Sequence, residues 1–194
     1  DVMEEVARLY GYDNFEATSF TTTFEGAINQ KKEDLIRNIK EYLAIRCGLQ
    51  EVYTYPWMND TFVNAVLQST DGILKLSTPP APDLSHIRSS LLPNLCEAVV
   101  KNERYFNDFS IFEEAQVFFD RNYTTPYDET ESLPEQRRHI GAAFASSVKN
   151  IDRLFRETKG VLEYMSRYTH MEALSFRKEE KPVWADQVVW LNVY

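Results

Sequence analysis

The chain predicts an α+β fold whose mostly antiparallel sheet is flanked by helices. Helical periodicity recurs near residues 31–47, 90–105 and 151–168, with two or more strand patterns in several of the gaps, so helix and strand do not alternate strictly. The stretch 109–119 carries large apolar residues at odd and even positions alike, as a strand buried on both faces at the centre of a sheet does. With 43% hydrophobic and 13% aromatic residues, 194 residues suffice for a substantial core: one ordinary domain, or one domain and a remnant of another.

Residues 1–14 open as a short amphipathic helix with Val2, Val6 and Leu9 on its apolar side and Gly11 placed for a left-handed C-cap. Asp1, Glu4 and Glu5 fall at i, i+3 and i+4, so three carboxylates share one side of its first turn. No cap precedes this helix, and the expectation is the terminal helix of a truncated preceding domain. Residues 15–29, with Phe15, Phe20 and Phe24 among Thr, Ser and Gly, suit an extended connector pinned by its phenylalanines.

The core is expected over 30–194, starting with a helix at 31–47 whose stripe is Leu35, Ile39, Tyr42, Leu43 and Cys47, closed by Gly48. Strands follow at 51–55 and 73–76 around a short helix at 60–68. Ser89 or Ser90 caps the next helix, with Pro93 confined to the first turn and Leu91, Leu92, Leu95, Cys96, Val99 and Val100 on its buried side. After the strand at 109–119, the acid-, Thr- and Pro-rich residues 122–136 suggest an exposed loop, and 140–145 a strand. Ile151, Leu154, Phe155, Val161, Leu162 and Met165 define a third long helix, and two candidate strands occupy 171–177 and 187–194. The last pattern has no turn after it, so the core is expected to be truncated at its C-terminal end.

Thirty acidic residues against 21 basic ones give a net charge of −9. A surface that displaces counterions from nucleic acid needs the opposite balance, so protein partners are favoured over direct nucleic-acid binding. The apolar runs are too short to span a membrane, and no secretory signal is expected. Cys47 and Cys96, each on an apolar helix face, suit two buried free thiols of a reducing compartment better than a disulfide, and their spacing suits no zinc site.

Several blocks occur in a recognisable order. They are residues 1–14; Gly48-Leu-Gln-Glu-Val-Tyr-Thr-Tyr; Leu84-Ser-His-Ile-Arg-Ser-Ser-Leu-Leu-Pro-Asn-Leu; Phe109-Ser-Ile-Phe-Glu-Glu-Ala-Gln-Val-Phe; and Arg156-Glu-Thr-Lys-Gly-Val-Leu-Glu. Together they resemble the β subunits of bacterial phenylalanyl-tRNA synthetases, in the synthetase-like core and the end of the small domain before it. The resemblance implies a class II aminoacyl-tRNA synthetase-like core, cytoplasmic, paired with a catalytic α subunit in an α2β2 assembly. That assembly attaches phenylalanine to tRNA at the expense of ATP, and tRNA is met by the whole assembly rather than by this acidic segment.

The resemblance also implies where chemistry is absent. Class II catalysis needs a strand-borne arginine on the ATP α-phosphate, yet residues 105–120 contain neither Arg nor Lys. The six glycines, Gly11, Gly26, Gly48, Gly72, Gly141 and Gly160, build no phosphate-cradling loop. Positive groups stabilise charge on a transferring nucleotidyl group, so the core is expected to be an inactive copy with no catalytic residues. Asp1, Glu4 and Glu5 match carboxylates that hold Mg²⁺ in the family together with an acid further upstream; first-turn acids equally complement a helix dipole. In this chain, which lacks that upstream acid, Mg²⁺ binding is expected to be weak or absent.

The remaining chemical residues have plain readings. Arg88 is placed to pair with Glu113 or Glu114, or else to meet the partner subunit or tRNA. Glu113 and Glu114, adjacent on a strand, face opposite ways and form no acid–base pair. His86, His139 and His170 share no ligand spacing. Lys159 beside Gly160 suits close helix packing. Trp57, Trp184 and Trp190 suit core or interface anchors rather than base-stacking platforms, since no basic groove surrounds them. Tyr42, Ile45, Tyr105 and Phe106, read as lying off or beyond the main core stripes, are candidates for a surface that the α subunit covers; the alternative is that they pack inside this domain. The alternative to a subunit of a tRNA ligase is an autonomous protein-binding module or paralogue with the same fold.

Overall fold

The strand β4 (Asp108–Thr125) organises the molecule: it runs between β1 (Gln50–Glu51), to which it is parallel, and β5 (Asp128–Ser146), to which it is antiparallel. This computed structural model describes residues 1–23, 26, 28, 30–67, 70–125, 128–147, 151–177, 184–185 and 192–193. It divides into two units, Asp1–Lys31 and Lys32–Tyr194.

Alternation along β4 sends residues to two different helix layers. On one face Phe112 packs with Ile39, Tyr42, Leu43 and Leu49, from α2 (Lys31–Glu41) and the turns after it, and with Val161, Met165 and Tyr168 of α5 (Ile151–Tyr168). On the other face Ile111 and Val117 pack with Leu91 and Leu95, at the start of and within α4 (Leu92–Asn102). Gly141, opposite Glu113 in the register, allows that second layer to close: a Cβ there would lie 2.7 Å from Leu95 Cδ1 and 3.3 Å from Leu91 Cβ.

The helix expected at 31–47 is α-helical to Glu41 and continues as a π-helical turn, Tyr42–Arg46. The wider turn lets the neighbours Tyr42 and Leu43 both point into the core. Gly48, at φ 73, then reverses the chain, and the Leu49 N–H reaches the Leu43 carbonyl at 3.0 Å. Tyr42 is therefore no surface residue; its hydroxyl donates to the Val161 carbonyl at 2.8 Å. Ile45, Tyr105 and Phe106 are exposed, as expected.

Other expectations need correction. Residues 122–136 are no loop where they are described: β4 and β5 stay paired, Asn122 with Pro134 and Tyr123 with Leu133, because pairing begun lower in the hairpin overrides a loop-like composition. Register irregularities on either side of these pairs accommodate the proline. The strand expected at 51–55 is regular only at Gln50–Glu51, since the Thr54 N–H turns to the Glu113 carboxylate instead of a backbone carbonyl. The strand expected at 73–76 is a single bridge, Lys75 to His86. That expected at 171–177 is β6 (Phe176–Arg177), paired with β7 (Asn192–Val193), and most of 187–194 lies outside the described residues.

The remaining elements are a short antiparallel pair, β2 (Trp57–Met58) with β3 (His86–Ile87), and α3 (Asp60–Val66), capped by the Asn59 side chain. In the first unit, α1 (Val2–Tyr10) is followed by Gly11 at φ 96. Phe15 packs on Tyr10 at 5.2 Å, whereas Phe20 is exposed and Phe24 lies outside the described residues. Val100, expected on the buried side of α4, is half exposed, and Ser90 accepts the Leu92 N–H at 3.2 Å as one of the two predicted caps.

Candidate functional site

Arg88 follows β3 and projects into the interior against β4. Its backbone sets it there: its N–H donates to the Pro56 carbonyl and its carbonyl accepts from Phe118 N–H, each at 2.8 Å. The guanidinium donates to Glu113 Oε1 at 3.0 Å and to the Gln116 carbonyl at 2.7 Å. Glu113 in turn accepts from the Thr54 N–H at 2.9 Å and the Thr54 hydroxyl at 2.7 Å. Arg88 is 7% exposed and Glu113 1%. A buried ion pair so thoroughly hydrogen-bonded ties three segments together and leaves neither charge free to meet a ligand.

One residue on, Glu114 faces the opposite layer and pairs with Arg138 of β5 at 2.6 Å. Arg138 also reaches Glu33 of α2 at 2.7 Å. The hydrogen bond from Arg138 holds the Glu114 carboxyl below its ordinary range, against the upward push of burial. Arg137 pairs with Glu135 at 2.6 Å and lies over the Phe119 ring. Arg88, Arg137 and Arg138, which flank β4, are thus all engaged with carboxylates.

Ser85, His86 and Asp60 adjoin one another, but not as a nucleophilic triad. The Ser85 hydroxyl and Asp60 Oδ1 both meet His86 Nδ1, at 3.0 and 2.9 Å. His86 Nε2 is buried without a partner. A relay needs one partner on each ring nitrogen, so the cluster fastens α3 to β3. His139 lies beside Phe119, its pKa lowered by burial, and His170 is exposed, with φ 57. Lys159 pairs with Glu163 at 2.6 Å and lies over the Phe176 ring. Both cysteines are free and partly buried, and burial pushes the Cys96 thiol up. Trp57 is partly buried, Trp184 is 40% exposed and Trp190 lies outside the described residues.

Asp1, Glu4 and Glu5 are all exposed at the start of α1, and Glu5 pairs with Arg8. Among the described residues no three His, Cys, Asp or Glu side chains are grouped to hold a metal ion. The triplet as arranged here therefore does not fit a three-carboxylate magnesium centre.

Sequence reasoning placed Arg88 against Glu113 or Glu114, of which Glu113 is its partner, but missed Asn94. Its amide donates to the Tyr55 carbonyl at 3.2 Å and the Trp57 carbonyl at 3.0 Å, fastening the segment before β2 to α4. The position of Asn94 beside Pro93 in a first helical turn was the only available signal.

Residues 16–188 match the family described as the phenylalanyl tRNA synthetase beta chain CLM domain. The chain belongs to that family. It is 27% identical over 186 residues to the phenylalanine–tRNA ligase beta subunit of Clostridium tetani, covering 93% of this chain and 22% of that protein. To the Bacillus licheniformis beta subunit it is 29% identical over 193 residues, covering 93% of this chain and 23% of the relative. The chain thus spans under a quarter of the length of these β-chain relatives. Its fold matches the pyrrolysyl tRNA synthetase of Desulfitobacterium hafniense with a TM-score of 0.62, at 12% identity, over 84% of this chain and 54% of that one. The architecture is therefore mixed α/β of synthetase type. Among the described residues no helix is long and apolar enough to cross a membrane.

Proposed function

We propose that this chain is the non-catalytic, class II-like core of a phenylalanine–tRNA ligase β subunit, supporting the ligase by assembling with a catalytic α subunit as α2β2. The observation that carries this reading is the state of β4. Residues 105–120 offer no cation for an ATP phosphate, and the arginines beside them, Arg88, Arg137 and Arg138, are all paired with carboxylates. The close approach of Leu91 and Leu95 to Gly141 supports the same reading, because it leaves no space for a ligand between α4 and β5 there. The reading divides the chain into a helix of a preceding domain (1–14), a connector (15–29) and the synthetase-like core (30–194), whose full sheet is mostly antiparallel. ATP, phenylalanine and tRNA belong to the whole cytoplasmic assembly. Asp1, Glu4 and Glu5 are proposed as magnesium ligands only in the longer subunit, where an upstream acid completes the set; that part rests on the family resemblance alone.

Exposed apolar side chains support the assembly role: Ile45 at 76%, Tyr105 at 67% and Phe106 at 57%. Co-expression with the α subunit of the same organism is the test. The chain should co-elute with it, and Ile45→Lys combined with Phe106→Glu should abolish co-elution while leaving the circular dichroism unchanged. Phenylalanine-dependent ATP–pyrophosphate exchange by the chain alone, or co-elution indifferent to both substitutions, overturns the reading. Failure to co-elute at all favours the autonomous binding module.

A further inference from the structure

A cleft of about 650 Å³ lies between residues 52–57 and the Asn94, Glu97, Ala98 and Lys101 stripe of α4, a size that suits a small molecule. Val52, Tyr55, Trp57 and Leu84 make its walls largely apolar. Tyr55 and Trp57 flank a bend at Pro56, which brings their side chains together. Their rings lie face to face at 4.5 Å with 9° between the planes. Tyr55 remains 69% exposed, which leaves ring surface free for a third flat group.

The polar groups narrow the class of ligand. Asn94 is 4% exposed and commits its amide nitrogen to two backbone carbonyls. Its Oδ1 is buried with no donor, an unfavourable state that an incoming N–H relieves and an incoming acceptor does not. Glu97 and Lys101 pair with each other at 2.7 Å, so the cleft presents no net charge to select an ion. The acidity of the chain opposes a polyanion, yet it leaves a neutral ring unaffected.

We propose that this cleft binds an uncharged planar heteroaromatic compound bearing an amino or N–H donor, stacked on Tyr55 with the donor turned to Asn94 Oδ1, which the cleft wall shifts to uncover. Two probes test it on the unmodified chain: 9-methyladenine, and 9-methyl-6-dimethylaminopurine, which keeps the ring and lacks the donor. The readout is the indole N–H resonance assigned to Trp57 by its loss in Trp57→Phe. We expect a saturable shift with 9-methyladenine, at a dissociation constant on the order of millimolar for a ligand of about eleven heavy atoms. The dimethylated probe should bind about tenfold more weakly, the loss of one hydrogen bond to a buried acceptor. Tyr55→Ala, at an exposed position, should weaken 9-methyladenine by a similar factor. Absence of a saturable shift, equal affinity for the two probes, or an unaffected Tyr55→Ala each overturns the proposal. Should Tyr55→Ala not fold, the comparison of the two probes still decides.

Discussion

Glu113 and Glu114 are chain neighbours with the same chemistry, and the fold gives them opposite circumstances. Strand geometry turns Glu113 toward α4, where Arg88 and Thr54 enclose it at 1% exposure. Glu114 turns toward α2, where Arg138 and Glu33 complete a partly solvated ladder. The lesson is about burial: a charge pair matters less for its own attraction than for what remains when one member is removed. In the first case the remainder is a guanidinium in a dry interior. In the second it is a side chain that water can still reach.

Glu113→Ala should therefore have the largest effect, about 3–5 kcal/mol of lost stability by denaturant titration, because Arg88 keeps its charge and loses its counter-ion. Replacing both, as Arg88→Met with Glu113→Leu, should cost markedly less than Glu113→Ala alone. If the double variant is the less stable, the buried pair contributes net stability here and the contrast between the two glutamates is wrong.

Gly141→Ala tests the same layer without touching a charge. The added methyl would lie 2.7 Å from Leu95 Cδ1, inside a cluster where Leu91 and Leu95 are both nearly fully buried. Overpacking of this kind costs about 1–3 kcal/mol. Pairing it with Leu95→Val should restore part of the loss. A neutral Gly141→Ala would mean that α4 can lift from the sheet, and that the face described as closed is open to ligands.

How far the sequence disclosed these features depended on range. Periodicity placed α1, α4 and α5 and the central strand, since each pattern is local. The opposite facing of Glu113 and Glu114 followed from a period of two, and the pairing of Arg88 with that strand from its charge and place. The hairpin at 122–136 was hidden because its pairing is inherited from residues lower down β4 and β5, while its own composition favours a loop. Thr54 was hidden too: a strand pattern gives no sign that a carboxylate from the neighbouring strand will capture its N–H. The Tyr55–Trp57–Asn94 cleft joins residues 39 and 37 positions apart, which no local pattern connects.

The partly solvated pair gives the smallest effects and the clearest pH signature. Arg138→Gln should cost about 1–2 kcal/mol near neutral pH, less than Glu113→Ala, because the Gln amide keeps a donor for the Glu114 carboxylate, whose side chain is only 9% exposed. Because the hydrogen bond from Arg138 lowers the Glu114 pKa in the folded chain, the unfolded chain binds more protons in the window between the two values. The contribution of Glu114 is therefore complete above the unfolded value, about 4.3, and declines as pH falls through the folded one. The stability gap between the native chain and Arg138→Gln should accordingly narrow from roughly pH 4.3 downward. A gap that stayed constant to the acid limit of folding would show that Arg138 acts through its packing against α2 and β5, and Glu114 would then resemble its buried neighbour more than its exposure suggests.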